Sequence, residues 1–418
     1  MYETFYHNLS NGLQIVHRKT PSPVVYVGLM IGAGTRHEQP NENGMAHYIE
    51  HCLFKGTEHY TARQIINHIE GIGGEINAYT TKEETTFYAA TLNNHFRTTL
   101  HLLADMVLRP TFNKKETDKE VTVILDEIES YNDSPSELIY DDFENMIFEG
   151  SSLAMPILGT KKTLRRISKS PKYPLGWMAK HYRPERMVLF VLGNVSTQQV
   201  ISAAEKELLS SSPYRLIAPS PITHSEASPC PSPIANSRTY RRHTHQTHIM
   251  LGSHTYPIGH PKQLTMFLLN NILGGSSMSS RLYLSLREKH GLVYNIDSQA
   301  VPLSDTGYWN IYLACEPQHK DQCLELCHKE LQTLRDVRLT SAQLQRALRQ
   351  LEGQLAISAE NQENNALAMA KQMLYHHRAP QWQETFAKVQ QITPLQLQEV
   401  ANEVFDTKKI ATLLYDEG

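Results

Sequence analysis

The sequence lacks any apolar run long enough to cross a membrane. Its longest apolar stretches, 24–30 and 187–192, are far shorter than the roughly 20 residues that a membrane-spanning helix needs. The first eight residues also lack the basic and apolar regions of a secretory signal peptide, and they are not rich in arginine like a transit peptide. We therefore predict a cytoplasmic location and no membrane partner.

Cysteine is scarce, and charge of either sign is nearly balanced. The five cysteines are odd in number and scattered, which indicates reduced thiols rather than a disulfide framework. The formal net charge of −3 argues against nucleic acid as a partner. Two basic stretches, 161–172 and 238–248, lack the interleaved aromatic residues of a nucleic-acid surface. We interpret these stretches as solvated faces.

A chain of 418 residues is long enough for two or more domains, and a proline- and serine-rich stretch divides it. We predict an N-terminal domain at 1–209, a linker at 210–238 and a related C-terminal domain at 239–418. Both halves mix strand patterns with amphipathic helices, which predicts an α+β fold. A weak repeat of strand, glycine and helix relates the halves, but the second helix, at about 265–272, contains no histidine.

The segment His47-Tyr-Ile-Glu50-His51 places two imidazoles one helical turn apart. On one face of a helix, such a pair can bind a single zinc ion. Glu50 borders that face, where it can take a proton from a water molecule that the metal activates and pass it to a leaving amine. This order of residues is the inverzincin signature. The alternative is a surface helix end with two solvated histidines. Catalytic zinc sites keep three protein ligands and one water molecule, so a third ligand is required.

The search for a third ligand leads to residues 116–129. Apolar residues recur there at i, i+3, i+4 and i+7, which predicts an amphipathic helix. Glutamates line one flank of its apolar stripe. From this pattern alone, Glu120 and Glu127 are equal candidates for the third ligand.

At these residues the chain resembles the pitrilysin/insulinase family of zinc metallopeptidases, and specifically its processing-peptidase branch. The segment Leu-Asp-Glu127-Ile matches the glutamate that follows H-x-x-E-H in that family. The resemblance implies one zinc ion per chain, with His47, His51 and Glu127 as ligands and Glu50 as the catalytic base. Glu120, seven residues before Glu127 on the same helical face, would orient a ligand from behind.

Two further segments carry the resemblance. Residues 73–81 match the family's Gly-Gly…Asn-Ala-x-Thr segment, which implies that Asn77 faces the bound peptide. Residues 279–294 match its Ser-Ser-Arg-Leu…Leu-Arg-Glu…Gly-Leu-x-Tyr block, which implies that Arg287 and Tyr294 grip the substrate. Without the resemblance, a surface arginine and a tyrosine packed under a turn would be the favoured interpretation.

The resemblance also implies an architecture and an assembly. It implies the mitochondrial-processing-peptidase-like metallohydrolase fold, in which two similar mixed α/β domains form half of a clamshell. Because this chain has single-unit length, it implies a homodimer, or a heterodimer with a related subunit, around a chamber. We predict a zinc metalloendopeptidase that hydrolyses unfolded peptides or processes short peptide segments there. The alternative is a non-catalytic scaffold subunit, which would have no physical need for a general base.

Overall fold

The computed structural model describes residues 2–209, 237–242 and 244–416. In chain order, the strands in these residues are β1 (Thr4–Asn8), β2 (Gln14–Lys19), β3 (Val24–Ile31), β4 (Glu75–Thr80), β5 (Thr85–Leu92), β6 (Met187–Gly193), β7 (Ser237–Arg241), β8 (Thr247–Thr255), β9 (Val293–Pro302), β10 (Gly307–Cys315) and β11 (Ala411–Asp416). The α-helices are α1 (Met45–Leu53), α2 (Ala62–Glu70), α3 (Phe96–Leu108), α4 (Lys114–Asn132), α5 (Pro135–Ile147), α6 (Lys161–Ile167), α7 (Lys172–His181), α8 (Thr197–Ala204), α9 (Gln263–Gly274), α10 (Lys320–Asp336), α11 (Ser341–Glu360), α12 (Gln362–His376), α13 (Trp382–Val389) and α14 (Pro394–Val404).

The described chain divides into two compact units, neither of which is continuous in sequence. The first unit combines residues up to 128 with 155–209 and 358–381. The second unit takes the remaining described residues, including 129–154. The predicted domains 1–209 and 239–418 were continuous, so each unit contains a segment that the sequence division assigned to the other half. Most of the predicted linker, 210–238, lies outside the described residues.

The first unit is built on a mixed sheet with strand order β1-β2-β6-β3-β5-β4. Strands β2 and β6 are parallel and the other neighbours are antiparallel. One face packs against the main core, which includes α1, α3 and α8. Helix α12 covers the opposite face, because its small and flexible apolar residues recur at i, i+3, i+4 and i+7. These residues are Ala366, Met369, Ala370 and Met373.

The second unit repeats this plan. Its sheet has the order β7-β11-β8-β10-β9, again with one parallel pair, β7 and β11. Helices α9, α10 and α14 form the core on one face. Helix α5 covers the other face, where Phe143 and Met146 lie in one apolar cluster with Met250 and Leu413.

The two sheets have the same topology once the edge strand β1 is set aside. The order β2-β6-β3-β5-β4 matches β7-β11-β8-β10-β9, strand for strand. Helix α9, at the place predicted for the histidine-free helix, is the equivalent of α1. The predicted pair of similar mixed α/β domains is therefore confirmed.

The repeat also explains why the units are discontinuous. Helices α5 and α12 each follow the longest helix of their repeat, α4 or α11. Each of them packs on the sheet of the other repeat, α5 on β8 and α12 on β6. The two repeats thus exchange one equivalent helix, and each unit needs both halves of the chain to cover its sheet.

Candidate active site

Helix α1 presents His47, Glu50 and His51 from a rigid position. Its apolar residues Tyr48, Ile49 and Leu53 are fully buried, which fixes the rotation of the helix in the core of the first unit. The imidazole rings of His47 and His51 lie 4.5 Å apart, centre to centre, as expected for an i, i+4 pair on one face.

A buried carboxylate anchors the start of this helix. Glu38 is 3% exposed, and its two oxygens accept hydrogen bonds from the backbone N–H groups of Gly44 (2.8 Å) and Ala46 (2.7 Å). Gly44 has no side chain with which to cap the helix, so Glu38 supplies the acceptor and complements the helix dipole. Burial raises the pKa of Glu38 to about 8, against the hydrogen bonds, which lower it. Sequence reasoning gave Glu38 no role, because its distance from the helix matches no capping-box spacing.

Helix α4 brings a third candidate ligand to the histidines. Glu127 Oε2 lies 3.8 Å from His47 Nε2 and 3.6 Å from His51 Nε2. Ligands bound tetrahedrally to zinc at about 2.0–2.2 Å lie roughly 3.3–3.6 Å from one another, so the distance to His51 matches this range and the distance to His47 is slightly longer. One ligand atom from each of the three residues lies within 4.8 Å of the others, close enough to share one metal ion. In the part of the chain that the structure describes, these residues form the one histidine, cysteine and carboxylate group suited to a metal. Burial lowers the pKa of His47 to about 3, which keeps the imidazole neutral, the form that binds metal.

The geometry distinguishes the two glutamates that the pattern left equal. Glu120 Oε2 lies 3.2 Å from His51 Nδ1, on the side of the ring opposite the nitrogen that faces Glu127. Its other oxygen pairs with Lys55 Nζ at 2.8 Å. Glu120 therefore orients the His51 ring from behind, as partners of metal-binding histidines commonly do. Lys55 was missed, although its position four residues after His51 was a usable signal.

The candidate base has a hydrogen-bond partner that sequence reasoning also missed. The Thr80 hydroxyl, at the end of edge strand β4, donates to Glu50 Oε2 at 2.5 Å. Burial raises the pKa of Glu50, and the Thr80 hydrogen bond lowers it in part. A carboxylate with a raised pKa holds a transferred proton better, which suits a general base.

Asn77 lies on the same strand but on its other face. Side chains alternate along a strand, so Asn77 points away from the side on which Thr80 meets Glu50. It is exposed, pairs across the sheet with Tyr88, and hydrogen-bonds with the Tyr88 side chain. The structure therefore places Thr80, rather than Asn77, beside the base, and a contact of Asn77 with peptide stays a prediction.

Arg287 and Tyr294 belong to the second unit. Arg287 lies in a π-helical segment, Tyr283–Lys289, and its guanidinium carbon is 5.0 Å from the centre of the Tyr294 ring. Tyr294 is 73% exposed, so it is not packed under the turn. The structure brings these two predicted residues together as a cation–π pair.

The position equivalent to the metal site is apolar in the second unit. Helices α9 and α11 and strand β9, the counterparts of α1, α4 and β4, border a cavity of about 190 Å³. Its lining includes Leu264, Phe267, Ala300 and Leu355. The repeat thus conserves the framework of the site while replacing its polar groups.

Comparison with sequence models of known families shows which family the chain belongs to. The family model described as insulinase, peptidase family M16, matches residues 14–161. A second family model, described as peptidase M16 inactive domain, matches residues 175–351. The chain belongs to the insulinase family of peptidases. The inactive-domain match covers much of the second repeat, which agrees with its apolar cavity.

Related bacterial proteins of the insulinase family align over most of their lengths. The uncharacterized zinc protease YmxG of Bacillus subtilis is 35% identical over 85% of this chain and 84% of its own. An uncharacterized zinc protease of Streptomyces coelicolor is 30% identical over 95% of this chain and 86% of its own.

Solved structures show the same fold. A protease from Helicobacter pylori superposes with a TM-score of 0.89 at 20% identity, covering 99% of both chains. A Pseudomonas fluorescens structure described as a peptidase M16 inactive domain superposes with a TM-score of 0.90 at 19% identity, covering 100% of this chain and 98% of its own. Across its described residues, the chain contains no helix with the length and hydrophobicity needed to span a membrane.

Proposed function

We propose that this chain is a zinc metalloendopeptidase of the processing-peptidase type. The observation that carries the proposal is the convergence of His47 Nε2, His51 Nε2 and Glu127 Oε2, with the carboxylate of Glu50 on the same helix as the histidines. The names of the related zinc proteases support the same activity. A scaffold subunit would need neither the three converging atoms nor the half-buried base.

Zinc and the side chains of this chain would contribute different parts of the hydrolysis. When bound, zinc would supply a Lewis acid that polarises the scissile carbonyl and lowers the pKa of water. The Thr80 hydroxyl holds Glu50 Oε2, so we assign Oε1 as the atom that accepts the proton from water. The same oxygen then delivers that proton to the leaving amine.

For the substrate, we propose unfolded peptides held in a chamber between two chains. The chain spans most of the length of its bacterial relatives and carries both the zinc-site residues and the Arg287–Tyr294 pair, so a homodimer would be self-sufficient. A heterodimer with a related subunit is the second form of this proposal. The exposed tyrosine and its arginine offer hydrogen-bond donors to a peptide carbonyl or to a developing oxyanion.

The proposed function predicts a metal content and a substrate size. We expect about one zinc ion per chain, and removal of zinc by a chelator should abolish peptide cleavage. Metal analysis and a cleavage assay check this prediction.

Unstructured peptides of tens of residues (roughly the scale of processed segments) should be cleaved, whereas a disulfide-closed globular protein should be spared because it cannot enter the chamber. Mass spectrometry of the products checks the prediction of substrate size. Efficient digestion of the folded protein would refute the chamber, and cleavage of only di- or tripeptides would indicate an exopeptidase.

Glu120 and Glu127 of α4 should differ in their effect on zinc affinity. We expect Glu120→Gln to weaken zinc affinity by about 10–100-fold, the usual effect of losing a partner of a ligand. Glu127→Gln should weaken it further, because it removes a charged donor from the metal itself. Competition with a chromophoric chelator measures both affinities. Glu116→Gln is the matched control on α4, because Glu116 pairs only with the surface residue Lys119 in the described chain. A larger effect of Glu120→Gln would reverse the assignment.

A further inference from the structure

The first unit carries a cationic surface whose side chains have no acidic partners among the described residues. No aspartate or glutamate occurs from 150 to 184. Within this range we define the basic patch as six exposed side chains: Lys161, Lys162, Arg165, Arg166, Lys169 and Lys172. None of the six forms an ion pair with another described residue. By contrast, the exposed lysines at 114 and 119 on α4 pair with acids on their own helix.

The patch is organised rather than scattered. Helix α6 is capped by Thr160 and anchored in the core by Leu164 and Ile167. This anchoring turns Lys162, Arg165 and Arg166 outward at i, i+3 and i+4, and so along one face of α6. Lys169, in the turn just after the helix, adds a fourth cation. All four cations line a concave pocket of about 640 Å³, which Thr163, Pro40, Asn41 and Tyr173 complete.

The dimensions of the pocket favour a chain of anions over a single anion. From Lys162 to Arg166 the helix rises about 6 Å, the length of about two residues of extended peptide, and Lys169 continues the row beyond the end of the helix. The guanidinium groups of Arg165 and Arg166 match carboxylates with two hydrogen bonds each. The concave shape disfavours a flat membrane surface, and one aromatic residue, Tyr173, does not make a stacking platform for nucleic acid.

The pocket borders the segment that leads into α1, the helix that carries His47, Glu50 and His51. Pro40 and Asn41 belong to the segment that leads into α1, and the Asn43 amide next to them donates to the Pro156 carbonyl at 2.9 Å. We propose that the basic patch binds acidic segments of peptide substrates, namely runs of aspartate and glutamate. The role in substrate selection rests on the proposed peptidase function, whereas the binding itself does not.

The test measures binding without cleavage. In the Glu50→Gln background, a fluorescent unstructured peptide with four consecutive glutamates is compared with a twin carrying four glutamines. We expect the glutamate peptide to bind about tenfold more tightly at low salt, the sum of several exposed ion pairs. This preference should fade as salt screens the charges. Lys162→Glu combined with Arg166→Glu should abolish it.

A matched control isolates the patch from overall charge. Arg346→Glu with Arg349→Glu makes the same charge change at two exposed arginines of α11 that form no ion pair with another described residue, and it should preserve the preference. Thermal melting confirms that each variant folds. Equal binding of the two peptides, or loss of the preference in the control, would overturn the proposal.

Two further arms identify the ligand. Inorganic phosphate that displaces the glutamate peptide at micromolar concentration would show a simple anion site, and would overturn the assignment to acidic peptide. Tight, patch-dependent binding to vesicles containing phosphatidylserine, with no preference between the peptides, would assign the surface to a membrane instead. Since none of these measurements requires turnover, a failure of the peptidase proposal would be seen separately, as absence of cleavage by the wild-type chain.

Discussion

Glu50→Gln is expected to retain zinc and to lose about 100-fold or more of kcat, the usual contribution of a general base. Glutamine has the shape of glutamate and can still accept the Thr80 hydrogen bond, but it cannot hold a proton. Zinc should stay bound because Glu50 is not one of the three residues that converge on the metal position. Turnover of an unstructured peptide and zinc analysis of the same sample check the prediction.

A control separates the loss of the base from a general loss of charge. Glu70→Gln removes one negative charge from an exposed position at the end of α2 and should leave both zinc content and kcat unchanged. If Glu50→Gln turned over peptide at nearly the normal rate, Glu50 would not be the base. Loss of zinc in Glu50→Gln would instead give the residue a structural role in the metal site.

The parts of the site that the sequence predicts are those set by local periodicity. The i, i+4 spacing of His47 and His51 requires only a helix, and α1 supplies it. The apolar spacing at 116–129 predicts a helix that the structure extends to Lys114–Asn132. The longest apolar stretches, 24–30 and 187–192, are too short for a membrane helix and form the buried strands β3 and β6, which are neighbours at the centre of the first sheet. Each of these features depends on residues within a few turns of one another.

What the sequence left open depends on contacts between distant segments. Glu120 and Glu127 share one helical face, and only the position of α1 against α4 decides which of them meets Nε2 of both histidines. Thr80 lies 30 residues from Glu50, so no local spacing links them. Helices α5 and α12 have ordinary amphipathic patterns, and nothing in a pattern states which sheet will cover its apolar side.

The second large effect that we expect is the recovery of activity from two inactive variants. The zinc-site residues and the Arg287–Tyr294 pair lie in different units of the chain, and we propose that each site in a dimer takes the pair from the partner chain across a two-fold interface. Homodimers of Glu50→Gln should be nearly inactive. Homodimers of Arg287→Ala combined with Tyr294→Phe should be nearly inactive as well, because they lose the donors that hold the peptide.

Mixing these two variants should restore about a quarter of the wild-type activity. Random exchange of subunits makes about half of the dimers hybrids. In each hybrid, the chain with an intact Glu50 receives an intact Arg287 and Tyr294 from its partner, while the other site carries all of the damage. One working site in half of the dimers gives the expected quarter. Activity is followed against time of mixing, and exchange is confirmed independently by native mass spectrometry of differently labelled chains. Complete exchange without recovery would mean that each site is built within one chain, or that Arg287 and Tyr294 do not hold the substrate.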